Sequence, residues 1–231
     1  MISNNEPGTT TAPGLHDFLF ESVLPKYLVQ GEKILDLGAG PGSLTARLLR
    51  AGWDVTAADA ILPELSVGTR FVYSDFNREN FARELGPGRF GLVLSVEVIE
   101  HVESPIGFLR NIRCLLHPGG VAVITTPNVD NTPARMKFLL RGTIRMMDAK
   151  SEKTHISPIF WDLFTRQFLP RSGMRLLEHY LYPQRGYQMT RRLYAIPMRA
   201  LSKFLSGECA YGDNHEIVLA RDTYPHLSGT T

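Results

Sequence analysis

Glu97-Val98-Ile99-Glu100-His101 sets two carboxylates and an imidazole within five residues. If the segment is helical, Glu97 stands at i,i+3 to Glu100 and at i,i+4 to His101, and all three share one face. Such a set has three readings. It can bind a divalent ion such as Mg2+, Mn2+, Fe2+ or Zn2+. His101 can instead act without a metal, as a base or a substrate contact. Or the acids are simply favoured by the dipole of a helix's first turn. The second chemically distinctive stretch is Ile34-Leu35-Asp36-Leu37-Gly38-Ala39-Gly40-Pro41-Gly42-Ser43. Glycines between an apolar run and a helical pattern let the backbone turn tightly and approach a ligand that a Cβ would block.

These residues need elements to hold them. Short apolar runs at Lys33–Leu37, Asp54–Ala58, Phe71–Ser74, Gly91–Ser95 and Val121–Thr125 alternate with helical patterns at Ser43–Ala51 and roughly 104–115. Strands alternating with helices at this spacing give a parallel α/β sheet. Pro118-Gly119-Gly120 reads as a turn, Met174–Tyr180 and Glu216–Ala220 as two more strands, and residues 15–29 carry apolar side chains at helical spacing. Residues 1–13 are almost devoid of apolar side chains and read as a disordered tail. Residues 14–231 then form one domain, with insertions at about 129–172 and 183–213 that are too short and too polar to own a core.

Composition bounds the function. The 231 residues are 43% hydrophobic and 21% charged, ordinary for a globular domain. A net charge of +2 excludes a polycation that coats nucleic acid. Two cysteines, Cys114 and Cys209, make no disulfide framework and no C-x-x-C motif. No apolar run reaches the ~18 residues of a membrane span, and the N-terminus lacks the basic start and apolar stretch of a signal peptide. The expectation is a cytoplasmic protein. The charge is unevenly spread, however. Residues 134–204 carry 14 Lys+Arg and four Asp+Glu, whereas the remainder carries 11 and 19.

The glycine turn separates nucleotide-binding classes. A dinucleotide fingerprint needs its third glycine at 43, where serine stands, and a P-loop needs a lysine that is absent. G-x-G-x-G at 38–42, with Asp36 two residues before, resembles the first motif of class I S-adenosylmethionine-dependent methyltransferases. The resemblance continues in register over roughly 30–128. It runs through Asp59, Ser74-Asp75-Phe76, Ser95-Val96, Leu115-Leu116-His117-Pro118-Gly119-Gly120 and Ile124-Thr125-Thr126-Pro127-Asn128. It implies a Rossmann-like, seven-stranded, mostly parallel sheet with helices on both faces and an antiparallel last strand. It implies that Asp36 orders the glycine turn while Gly38, Ala39 and Gly40 approach the cofactor. Asp59 would hold the ribose hydroxyls, Asp75 and Phe76 the adenine, and Ser95 would lie beneath the cofactor. Glu97 and His101 would stand nearest the chemistry. E-x-x-E-H is also similar to a segment of two metal-using subfamilies, quinone-biosynthesis O-methyltransferases and RNA 3′-terminal 2′-O-methyltransferases. Both draw a further ligand from a later histidine, which makes Glu97, Glu100, His101 and His155 the candidate metal set.

The implied reaction is methyl transfer from S-adenosylmethionine to a hydroxyl of a small or lipid-linked molecule. An RNA methyltransferase and a non-catalytic S-adenosylmethionine-binding protein are the alternatives. The basic region bears on this choice. Leu193, Ile196, Pro197, Ala200, Leu201, Phe204 and Leu205 fall near one helical stripe, with Arg192, Arg199 and Lys203 beside it. That pattern suits a lid helix packing its apolar stripe on the domain, or a basic amphipathic helix in peripheral contact with a membrane. Arg141, Arg145, Arg185, Arg191 and Arg192 are candidate anion contacts.

Overall fold

In a computed structural model, residues 11–61, 68–148, 153–190, 192–204 and 209–222 are described. Seven strands form one sheet in the order β3-β2-β1-β4-β5-β7-β6. They are β1 (Lys33–Leu37), β2 (Asp54–Asp59), β3 (Arg70–Tyr73), β4 (Phe90–Val96), β5 (Leu116–Pro127), β6 (Met174–Tyr182) and β7 (Asn214–Arg221). The first five pair in parallel, and β7 runs antiparallel between β5 and β6. The expected fold class is the one observed.

Both faces of the sheet are covered, which is why the central strands read as unbroken apolar runs rather than alternating ones. Leu35, Val93, Ile124 and Ile217 pack on one face with Phe108 and Ile112 of the Pro105–Leu115 helix and with Phe164. Ile34, Leu92, Val123 and Val218 pack on the other with Leu15, Leu19 and with Leu44 and Leu48 of the Ser43–Arg50 helix. Ser104 caps the Pro105–Leu115 helix by accepting the Gly107 N–H, and Asn131 caps the Thr132–Arg141 helix by accepting that of Ala134.

Four local expectations change. The Pro118-Gly119-Gly120 turn is absorbed into β5, which pairs with β4 on both sides of it across a shift in register. The helical run at 15–29 breaks into α, π and 3-10 turns and ends at Lys26, one residue after Pro25. Residues 1–10 lie outside the described residues, while Ala12 is buried and the Pro13 carbonyl accepts from the Tyr182 hydroxyl. The Arg192–Ser202 helix does not pack its stripe inward. Ile196 is 73% and Phe204 86% exposed, whereas Ser202 on the opposite side is buried and bonded to Thr132 and Tyr187. The pattern of a stripe reveals two faces but not which one meets the core. Arg191 and Leu205, and the side chains of Arg192 and Leu193, lie outside what is described.

Candidate active site

The glycine turn sits at the C-terminal end of β1, the edge where open α/β sheets bind ligands. Gly38 has φ +88°, and a Cβ there would stand 2.2 Å from Cγ2 of Val98. Only glycine meets both conditions. The turn is tied to β2, because the Gly38 and Ala39 N–H groups donate to the Ala58 carbonyl at 2.8 and 3.1 Å. Asp59, at the end of β2, accepts from Gly40 N–H at 2.8 Å through one oxygen and from Ile61 N–H at 2.9 Å through the other. Below the turn, Asp36 is buried and accepts from the Thr45 hydroxyl at 2.5 Å. Burial pushes its carboxyl up to about 6, against the opposing pull of the Thr45 hydrogen bond.

A cavity of about 750 Å³ opens in front of the turn, bordered by Gly38, Gly40, Asp59, Phe76, Glu97 and His101. That size lies within the usual range for a small-molecule site. Six of the residues singled out in the sequence therefore share one wall system. Ala39 and Asp36 border a cleft of about 50 Å³ behind the turn instead. Asp75 is half-buried and accepts from the N–H of Asn77, closing its own turn. Ser95 is buried, and its Oγ has no hydrogen-bond partner among the described residues.

Glu97, Glu100 and His101 do not lie on one regular helix. Only Ile99–His101 forms a 3-10 turn, and Glu97 before it has φ +57°. That left-handed residue aims Glu97 toward the sheet. Its Oε1 accepts from Asn214 Nδ2 at 2.5 Å and Thr125 Oγ1 at 3.3 Å, and its N–H donates to Thr125 Oγ1 at 3.0 Å. Burial pushes the Glu97 carboxyl up to about 7. Glu100 is fully buried, with one oxygen accepting from Thr126 Oγ1 at 3.1 Å and the other unpartnered. Burial, and then the charge of Glu97, hold its carboxyl well above the usual range. Ligand atoms of Glu100, His101 and His155 lie within 4.8 Å of one another, and the two rings stand 4.6 Å apart. The second histidine reaches this group because the Glu100 carbonyl accepts from both Ile156 and Ser157 N–H at 2.9 Å. Glu97 is not part of that group of three.

Two residues of the site escaped the sequence reading. Asn214 holds Glu97 from 117 positions away, and Glu216 is buried on β7 with neither oxygen partnered among the described residues. Burial and the Glu97 charge raise its carboxyl as well. A glutamate immediately before the apolar run Ile217–Ala220 was the available signal, since a buried strand carries an acid only at a cost.

Comparisons with known proteins bear on the family and the fold. A family model described as a methyltransferase domain matches residues 13–178. A ubiquinone biosynthesis O-methyltransferase of Pseudomonas aeruginosa (strain UCBPP-PA14) is 30% identical over 133 residues, covering 54% of this chain and 56% of that protein. The chain thus matches about half the length of such curated relatives. Among solved structures, a SAM-dependent methyltransferase from Archaeoglobus fulgidus superposes with TM-score 0.58 at 15% identity, covering 88% of this chain and 91% of that one. A Burkholderia thailandensis 1,6-didemethyltoxoflavin-N1-methyltransferase, solved with S-adenosylhomocysteine, gives 0.51 at 20% identity, over 84% of this chain and 72% of that one.

Proposed function

The chain belongs to the methyltransferase-domain family, and on that premise we propose that it methylates a hydroxyl of a small or lipid-linked acceptor, using S-adenosylmethionine. The observation that carries this reading is the single cavity in which the glycine turn and Asp59 face Glu97 and His101. The residues fit the cofactor. Gly38 keeps the wall open where a side chain would collide, and a carboxylate at 59 suits a neutral ribose diol. When bound, S-adenosylmethionine supplies an electrophilic methyl group.

The chain's own residues do the rest. Gly38, Ala39 and Gly40 approach the cofactor, Asp59 holds the ribose, Asp75 and Phe76 hold the adenine, and Ser95 and Asp36 support the floor. Glu97 accepts the proton of the acceptor hydroxyl, and Thr125 and Asn214 hold its carboxylate at the cavity wall. A carboxyl pushed up to about 7 is poised for that transfer. His101 contacts the acceptor or, with Glu100 and His155, holds a divalent ion. The unpartnered Glu100 oxygen fits a ligand there. One carboxylate and two imidazoles suit Mn2+, Fe2+ or Zn2+ better than Mg2+, which prefers an all-oxygen shell.

Two features favour an apolar acceptor. A second cavity of about 500 Å³ is lined mainly by apolar side chains, Val129, Ala134, Phe138, Leu139, Ile144 and Phe160, with Asp130 and Arg135 also on its wall. Leu139 and Leu140 beside it are 76% and 74% exposed, and Ile196 and Phe204 add to the apolar surface. Peripheral membrane contact follows from this reading. The RNA alternative has less support, because Arg145, Lys137 and Arg166 are paired with Asp213, Asp148 and Asp162. No helix among the described residues is long and apolar enough to cross a membrane.

The test is transfer of labelled methyl from S-adenosylmethionine into cell extract, separated into lipid, small-molecule, RNA and protein fractions. Label in the lipid or small-molecule fraction is expected. Label in RNA that falls steeply with salt would replace this reading with the alternative. No label in any fraction, with cofactor binding intact, would favour the non-catalytic binder.

A further inference from the structure

A second group of ligating side chains, His179, Cys209 and His215, shares no residue with the lining of the methyl-transfer cavity. His179 of β6 and His215 of β7 are on adjacent antiparallel strands, and their rings are hydrogen-bonded, Nε2 to Nδ1, at 2.9 Å. Cys209 approaches from the segment leading into β7, and ligand atoms of the three residues all lie within 4.8 Å of one another. His215 is fully buried, and its Nε2 has no hydrogen-bond partner among the described residues. The two nitrogens of an imidazole face apart, so His215 presents to this group its Nδ1, the atom bonded to His179, while Nε2 points away from it.

The surroundings are built. Trp161 stacks on His179 at 3.6 Å between ring centroids and lies 5.4 Å from the His215 ring, closing one side of the group. Its backbone N–H is fixed by Asp130 at 2.7 Å. The cysteine-bearing segment is pinned through its carbonyls. Asn128 donates to the Cys209 and Tyr211 carbonyls, Thr132 and Tyr187 to that of Ala210, and Asn131 to that of Gly212. Cys209 is thereby held in place against the two imidazoles while itself almost wholly buried.

We propose that Cys209, His179 and His215 form a metal site for a zinc-class ion, distinct from the Glu100, His101 and His155 group. One thiolate with two imidazoles is a borderline-soft donor set, which selects zinc over magnesium or calcium. Zinc holds nitrogen at about 2.0–2.1 Å and sulfur at about 2.3 Å, so its ligand atoms stand roughly 3.3–3.8 Å apart. To reach that spacing the 2.9 Å hydrogen bond between the rings must open by about 0.4 Å, and the sulfur starts within 4.8 Å of both rings' ligand atoms. On binding, the thiol proton leaves to solvent as the Zn–S bond forms. The imidazoles bind through lone pairs, and the ring proton shared between them moves to the other nitrogen of its own ring. The ion fastens the 209–213 segment to the β6–β7 pair. Asn214, the partner of Glu97, comes directly after that segment.

The experiment titrates the full-length, chelator-treated protein with Co2+ and then Zn2+. A thiolate-to-cobalt charge-transfer band saturating at one ion per chain, and displaced by Zn2+, is expected. The band should vanish in Cys209→Ser and His215→Gln and fall at least tenfold in His179→Gln, while Cys114→Ser and Glu100→Gln leave it unchanged. Zinc at a hundredfold excess over its dissociation constant should raise Tm by roughly 5–10 °C in the unsubstituted chain. X-ray absorption of the zinc-loaded unsubstituted protein needs no variant, and one sulfur with two nitrogen neighbours is expected. A band that survives Cys209→Ser, a band lost in Cys114→Ser, or a zinc shell without sulfur would each overturn the assignment.

Discussion

Replacing Gly38 with alanine is expected to damage both stability and cofactor binding, and a second substitution separates the causes. Gly38 has φ +88°, a region that costs an L-residue about 1–2 kcal/mol. Its new Cβ would also lie 2.2 Å from Val98 Cγ2, a branched side chain that is itself buried. Forcing such a group into a packed site costs about 1–3 kcal/mol. The sum, roughly 2–5 kcal/mol, corresponds to a fall in Tm of about 5–15 °C for a domain of this size. Val98→Ala alone leaves a small void and costs about 1–3 kcal/mol. In the double variant the collision is gone but the backbone strain remains. Its destabilisation should fall short of the sum of the two single variants by about 1–3 kcal/mol. Because Gly38 borders the main cavity, S-adenosylhomocysteine affinity should stay at least tenfold down even in the double variant. Thermal unfolding of the four proteins, with calorimetric titration of each, reads both quantities. Strict additivity, or undiminished binding in Gly38→Ala, would refute the reasoning.

Three more outcomes follow from the site and its surroundings. Asp36 is buried with its carboxyl pushed from 3.8 to about 6, so the folded state binds its proton more tightly than the unfolded chain. Its contribution is fully present below pH 3.8 and is lost as pH rises through about 6. Asp36→Asn should therefore gain on the unsubstituted chain between pH 4 and pH 8 by up to about 3 kcal/mol in urea unfolding. Glu97→Gln keeps the shape and removes the proposed base. It should lower methyl transfer by about 10²–10⁴ while S-adenosylhomocysteine affinity stays within a few-fold, and unchanged turnover would remove Glu97 from the chemistry. Leu139→Glu with Leu140→Glu changes two exposed side chains. Tm should be nearly unchanged and binding to anionic vesicles should fall about tenfold or more, as read by co-sedimentation.

What was legible in the sequence was local. The strands and the glycine turn declared themselves because a strand–turn–helix unit is written in adjacent residues, and Asp59 sits in that pattern one strand later. Glu97 was recognised by its place after β4, but its direction was not. The positive φ at 97 and the Asn214 bond from across the sheet are tertiary facts that no spacing rule carries. The same holds for His179 and His215. They are 36 residues apart and touch only because β6 pairs with β7. The Arg192–Ser202 stripe shows the complementary failure. Its amphipathic pattern was real, but the buried bonds of Ser202 turned the apolar side out.

The most direct measurement of the central claim is calorimetric titration of the purified chain with S-adenosylhomocysteine, beside Asp59→Ala. The account predicts saturable binding at one ligand per chain, weakened at least tenfold by the substitution, because Asp59 closes the glycine turn and is the proposed ribose contact. An unsubstituted chain that takes up no ligand, or an Asp59→Ala variant that binds as tightly, would contradict it.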